Sequence, residues 1–210
     1  MIRKCRVHAV TDSEALTDPS FEAKAGALAG TGLAALALRA GTLDGRTVYN
    51  LALRLREITA RSGAPLVINS RLDIALAVGA DFVQLGYHSV PLEAAAPLCK
   101  AHGLGFGCSC HSLEQALQAV AAGATYVYLG TVFATASKPG VQPVGVELVR
   151  EVCRFVTSVP VFAIGGMSAA TVPQVAAAGA FGCAVVSALW RPADPREELV
   201  AMSRAFGTEV

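Results

Sequence analysis

The chain has 210 residues, 53% of them hydrophobic and only 16% charged. That composition excludes a disordered chain and is long enough to bury a sizeable core in one domain spanning residues 1–210. The net charge of +1, with no basic stripe interleaved with aromatics, excludes nucleic acid as an expected partner.

The chain opens on Met1-Ile2-Arg3-Lys4-Cys5, which lacks the apolar core of a signal peptide. No apolar run reaches the roughly 18 residues of a membrane helix, so no membrane partner is expected and the expected location is cytoplasmic. Short β-branched runs then alternate with Ala/Leu-rich helical stretches. Strands are expected at 7–11, 33–38, 65–68, 82–85, 105–109, 126–129, 161–164 and 182–185. Helical patterns occupy 48–62, 72–78, 92–101, 113–122, 146–156, 170–178 and 196–206. Three helices end in one phrase: Ala77-Val78-Gly79-Ala80, Ala121-Ala122-Gly123-Ala124 and Ala177-Ala178-Gly179-Ala180. A glycine there supplies a left-handed helix end that turns the chain into the next strand. Eight strands alternating with helices imply parallel pairing, and the expected fold is a (β/α)₈ TIM barrel rather than an open doubly wound sheet.

Such a barrel carries its chemistry at the C-terminal ends of the strands. Strand one ends in Val10-Thr11-Asp12, a mouth residue or a turn. Strand two ends in Leu38-Arg39, where the Arg39 fork suits a carboxylate or phosphate. Strand three ends in Asn69-Ser70-Arg71-Leu72-Asp73, with Asn69 as a donor and Ser70 or Asp73 as helix caps. Strand five ends in Cys108-Ser109-Cys110-His111-Ser112. Alternation points Ser109 into the barrel and the two cysteines towards the helices, and leaves His111 at the mouth as a proton carrier. Ser112 is the expected cap of the next helix. After strand six, Thr135, Ser137 and Lys138 suit an anionic ligand. After strands seven and eight, Gly165-Gly166 and Val186-Ser187 form the pair of loops between which barrels bind phosphate. His8, His88 and His102 read as structural or surface residues. The six cysteines (5, 99, 108, 110, 153 and 183) read as reduced thiols. No second Cys/His cluster completes a metal site beside Cys108 and Cys110, so no metal is expected.

The motifs His8-Ala9-Val10-Thr11-Asp12, Asn69-Ser70-Arg71-Leu72-Asp73, His111-Ser112-Leu113-Glu114, Gly130-Thr131-Val132-Phe133, Ala163-Ile164-Gly165-Gly166-Met167 and Val186-Ser187-Ala188 span most of the chain. With them the sequence resembles the thiamin phosphate synthase superfamily, especially its thiazole tautomerase (TenI-type) branch. The resemblance implies a (β/α)₈ barrel, a thiazole phosphate as small-molecule ligand, no cofactor, and, by analogy, a homodimer. Synthases of the family carry Gln-Leu/Phe-Arg-Glu-Lys after strand two, Asn-Asp after strand three and Gly-Gln-Glu/Asp-Asp after strand four. Here these stretches are Ala37-Leu38-Arg39-Ala40-Gly41, Asn69-Ser70 and Gly86-Tyr87-His88-Ser89. The carboxylates that would hold magnesium are absent. The resemblance therefore implies a thiazole tautomerase, an isomerase in thiamine biosynthesis. His111 would move the proton, Gly165, Gly166, Val186 and Ser187 would hold the phosphate, and Arg39, Lys138, Ser109 and Asn69 would line the site. The alternatives are a thiamin phosphate synthase and a non-catalytic regulator that binds thiazole or thiamin phosphate.

Overall fold

Runs such as Leu66–Asn69 and Val161–Ile164 are apolar on both faces, which suits strands covered on both sides in a parallel sheet. The computed structural model describes residues 5–86, 88–137 and 140–208. Its strands are β1 (Val7–Val10), β2 (Ala35–Leu38), β3 (Leu66–Asn69), β4 (Phe82–Leu85), β5 (Gly105–Cys110), β6 (Tyr126–Leu129), β7 (Val161–Ile164) and β8 (Gly182–Val185). They pair in parallel in sequence order, and β8 closes on β1 through Val7↔Cys183 and Ala9↔Val185. This is the (β/α)₈ barrel expected from the alternation.

Between the strands lie α1 (Ser13–Thr17), α2 (Phe21–Gly30), α3 (Gly45–Ser62), α4 (Leu72–Ala77), α5 (Leu92–Ala101), α6 (Leu113–Ala121), α7 (Gly145–Phe155), α8 (Val172–Ala177), α9 (Ser187–Trp190) and α10 (Pro195–Ala205). The repeated glycine phrase does what its chemistry suggests. Gly79, Gly123 and Gly179 have φ of 61°, 94° and 97°. The next residues donate back five positions (Ala80 to Ala75, Ala124 to Ala119 and Ala180 to Val175) at 2.9–3.1 Å, which closes the last turn of each helix.

Alternation along the strands splits the core in two. Leu36, Leu38, Leu66, Ile68, Val127, Leu129 and Val185 face the helices and pack with Leu28, Leu55, Val149, Val152 and Leu199. Burying one such side chain contributes about 1.5–3 kcal/mol. Val10, Ala35, Ala37, Val67, Tyr126, Tyr128, Phe162 and Ala184 form a separate cluster inside the barrel. Cys108 and Cys110 belong to the outer layer, 7% and 1% exposed, and burial pushes their thiols up to about 11 and about 12. That matches the parity expected of them as packing residues.

Candidate functional site

The strand ends of β1–β8 surround a cavity of about 350 Å³. Arg39, Asn69, Ser109, His111, Thr135, Ser137, Gly165, Gly166, Val186 and Ser187 all line it. Lys138 lies outside the described residues.

Local chemistry explains how several of these groups are presented. Thr11, at the end of β1, pins the backbone of Arg39: its hydroxyl donates to the Arg39 carbonyl at 3.0 Å and accepts from the Arg39 amide at 2.8 Å. The neighbouring Asp12 caps α1 by accepting from the Ala15 amide at 2.9 Å and pairs with Arg191 at 2.9 Å. Burial works against its charge, but the Arg191 hydrogen bond, the Ala15 amide and the Arg39 charge together hold its carboxyl below the usual range. Trp190 ties α9 to β1 by donating from Nε1 to the Val10 carbonyl at 2.8 Å, which fixes the short helix that begins at Ser187.

Gly165 and Gly166 have φ of 98° and 67°. A Cβ on Gly165 would stand 2.5 Å from Thr131 Cγ2, and one on Gly166 would stand 2.7 Å from Phe133 Cβ. The two glycines therefore let this turn lie flat against the loop after β6, with the Phe133 amide donating to the Gly165 carbonyl at 3.1 Å. Thr171 braces the far side, donating to the Gly166 carbonyl and accepting from the Ser168 amide, both at 2.9 Å.

His111 is held from two sides. Its amide donates to Gln115 Oε1 at 2.7 Å, while Ser112 caps α6 by accepting from the Gln115 amide at 3.2 Å. Its Nδ1 donates to the Gly130 carbonyl. A carbonyl only accepts, so this bond leaves Nε2 as the acceptor of the neutral ring.

On β5 itself and the neighbouring β4, Ser109 Oγ accepts from Gln84 Nε2 at 3.0 Å. Ser70 accepts from Asn69 Nδ2 and from the Ser89 hydroxyl, each at 3.1 Å, and Ser89 accepts from the Gly86 amide at 2.8 Å. Ser70 has φ of 64°, a left-handed conformation that costs a non-glycine residue on the order of 1 kcal/mol.

Two sequence expectations need correction, and one lining residue carries no expectation. Neither Ser70 nor Asp73 caps α4: the capping position is Arg71 and has no side-chain cap, while Asp73 is engaged by Arg71 at 2.6 Å and 2.9 Å. His88 is not merely a surface residue, because it lines the cavity. Tyr128 was not singled out as a site residue, yet it lines the cavity with Val10, Ile164 and Ala184. Strand parity puts Tyr126 and Tyr128 on one face, and the pairing of Tyr128 with Ser109 and Phe162 shows that this face is the inner one.

A divalent ion of the magnesium type needs carboxylate oxygens besides those of substrate phosphates. Among the described residues lining the cavity there is no Asp or Glu, and Ser70 and Ser89, which stand where the resemblance places the synthases' acidic residues, meet each other. The residues present do not fit a carboxylate-held metal.

A closed parallel barrel with glycine turns, hydroxyls and a guanidinium gathered at its C-terminal mouth defines the class of barrel proteins built to receive phosphorylated small molecules. The comparisons narrow this. Residues 7–189 match the family model described as thiamine monophosphate synthase, and the chain belongs to that enzyme family. It is 39% identical over 204 residues to the thiamine-phosphate synthase of Salinispora arenicola, covering 96% of this chain and 97% of that one. It is 36% identical to the thiamine-phosphate synthase of Pyrococcus horikoshii, covering 96% and 94%. Among solved structures, thiamine phosphate pyrophosphorylase from Pyrococcus furiosus superposes with a TM-score of 0.85 at 30% identity, covering 98% of this chain and 96% of that one.

These relatives overturn the tautomerase, and hence isomerase, expectation, since their names are those of synthases. The expectation leaned on missing carboxylates. Their absence describes what the site lacks, not which reaction it performs.

Proposed function

We propose that this chain is a transferase of the thiamine-phosphate synthase type, acting on a thiazole phosphate and a pyrimidine carrying a diphosphate leaving group. In that reaction a thiazole ring nitrogen attacks the methylene carbon that bears the diphosphate. The C–N bond forms, the C–O bond breaks and diphosphate departs with its electron pair.

The observation that carries the reading is the convergence of the Gly165–Gly166 turn, Ser187 and Arg39 on one cavity at the barrel mouth. The glycine turn and Ser187 would hold the thiazole phosphate, as loops seven and eight do in phosphate-binding barrels. Arg39, with Ser137, Thr135 and Lys138 from the loop after β6, would offset the charge growing on the departing diphosphate. Asn69 and Ser109 would orient the pyrimidine. His111, ring-bonded to Gly130 through Nδ1, would present Nε2 to the ligand as a hydrogen-bond acceptor. The reduced thiols support a cytosolic setting.

One observation favours a second reading, a non-catalytic binder of the same phosphorylated heterocycle: the Ser70–Ser89 pair in place of acidic side chains. One experiment separates the two. Purified protein is incubated with both substrates, with and without magnesium, while diphosphate release and thiamine phosphate are measured. Product formation supports the transferase. Tight binding of thiazole phosphate without product at any magnesium concentration removes it.

A further inference from the structure

Inside the barrel, residues two apart on a strand stack as successive layers beneath the mouth. Val10, Tyr128 and Ile164 line the cavity, whereas His8, Tyr126 and Phe162, two residues earlier on the same strands, do not. Those three form an aromatic plug: the His8 ring centroid lies 4.1 Å from Phe162 and 5.3 Å from Tyr126, and Tyr126 lies 5.2 Å from Tyr128. Tyr128 joins the two layers. It is 3% exposed, and its hydroxyl reaches the His8 Nδ1 at 2.7 Å. The bond fixes the ring in position, because rotating it away would leave two buried polar atoms unpaired. Of the apolar residues that line the cavity with it, Val10 and Ala184 are small and Ile164 carries no ring, so Tyr128 offers the one aromatic face among these four.

We propose that Tyr128 is the specificity-determining floor of the site, its ring setting how deep and how bulky a heterocycle the barrel admits. The inference rests on the proposed function for the identity of the ligand and goes beyond it in assigning the residue that selects the ring. The cavity is divided accordingly. Its base is apolar (Val10, Tyr128, Ile164 and Ala184), while the anion-accepting groups, Arg39, Gly165, Gly166 and Ser187, sit at strand ends and loops. A ligand with a flat ring at one end and a phosphate at the other matches that division: the ring rests on Tyr128 and the phosphate stays at the rim. The position is set by shape rather than by charge, so Tyr128 touches the ring without taking part in bond making.

The test compares wild type, Tyr128→Ala and Tyr128→Phe by calorimetric titration with three probes: inorganic phosphate, thiazole phosphate, and a thiazole phosphate carrying an added butyl group on the ring. Tyr128→Ala is expected to shift the ratio of the two thiazole affinities at least tenfold towards the butyl compound, while inorganic phosphate changes less than twofold. Tyr128→Phe keeps the ring and is expected to hold the ratio within threefold of wild type. An unchanged ratio in a folded Tyr128→Ala protein, or an equal shift in Tyr128→Phe, overturns the assignment. Should Tyr128→Ala fail to fold, Ala184→Leu tests the same floor by raising it. It is expected to weaken thiazole phosphate at least tenfold and spare inorganic phosphate, and unchanged thiazole binding overturns the proposal. Because every readout is binding, absence of condensation by wild type removes the transferase reading and leaves the floor to be judged on its own ratio.

Discussion

The hydroxyls of Ser70 and Ser89 are 3.1 Å apart, joining the loop after β3 to the loop after β4 directly across the cavity edge. Two carboxylates at these positions would repel each other unless a cation lay between them. The double substitution Ser70→Asp/Ser89→Asp is therefore expected to create a divalent site where the wild-type residues do not fit one. Titration with manganese should show binding at least tenfold tighter than wild type, and condensation should become more strongly magnesium-dependent. Equal manganese affinity in the two proteins would show that these positions do not face a common ion.

His111 is expected to matter for turnover more than for folding. Its residue is exposed, and its ring is fixed by the bond from Nδ1 to the Gly130 carbonyl. A positioned proton acceptor typically contributes about 10²–10⁴-fold to rate. His111→Ala should lower kcat by about 10²-fold, with the melting temperature within about 2 °C of wild type, since surface substitutions cost within about 0.5 kcal/mol. Steady-state kinetics of diphosphate release checks the first part and thermal denaturation the second. Unchanged kcat would remove the histidine from the reaction.

Much of the architecture could be read from particular residues. The Gly79, Gly123 and Gly179 phrases marked three helix ends, and the apolar runs located each strand to within about two residues, because two-sided burial in a parallel barrel writes itself as continuous hydrophobicity. Helix α2 left a weaker trace: its buried face combines Phe21 and Leu28 with Lys24, Ala25 and Ala29, so no strongly apolar stripe marks it. Lys24 is tolerated there because it reaches Asp18 and the Trp190 carbonyl, both at 2.9 Å, and those partners come from elsewhere in the fold. The rim of the cavity was legible because glycines and hydroxyls at strand ends are chemically conspicuous. The floor was harder to see, since Tyr128 resembles any other strand aromatic until the pairing of Tyr128 with Ser109 and Phe162 shows which way it faces.

Acid stability offers a separate check on the aromatic plug. Burial pushes the His8 imidazole down to about 3, so it stays neutral in the folded barrel. In the unfolded chain it titrates near its ordinary value of 6.5. Between those two values the unfolded state holds one more proton than the folded one. Stability contributed by neutral His8 is thus fully present above about pH 6.5 and is lost as the pH falls towards 3, at up to about 1.4 kcal/mol per pH unit. The carboxyls of Asp12 and Asp18 are also depressed, but their unfolded value is 3.8, so their loss falls at lower pH. Urea unfolding at pH 7.0, 6.0 and 5.0 should show this slope in wild type and a slope flatter by about one proton in His8→Gln. Parallel pH profiles would mean that His8 is accessible to protons in the native state.

Two glycines in different surroundings should respond to alanine with opposite sign. Gly26 lies inside α2, exposed, with ordinary helical geometry and nothing within 4 Å of the position a Cβ would take. Alanine there removes unfolded-state entropy and improves helix propensity, so Gly26→Ala is expected to stabilise by about 0.5–1 kcal/mol. Gly165 has φ of 98°, and a Cβ would meet Thr131 Cγ2 at 2.5 Å and Thr131 Cα at 2.8 Å. Gly165→Ala therefore combines a backbone conformation alanine rarely adopts with a clash against main chain, and should destabilise by about 2 kcal/mol or more. Relief of that clash pushes the loop after β6 away from the turn, so inorganic phosphate should bind the Gly165→Ala protein at least tenfold more weakly, while Gly26→Ala binds as wild type does. Thermal denaturation and phosphate titration on the two variants measure both effects. A Gly165→Ala protein as stable as wild type and with unaltered phosphate affinity would mean that the turn tolerates a side chain and does not form the anion site.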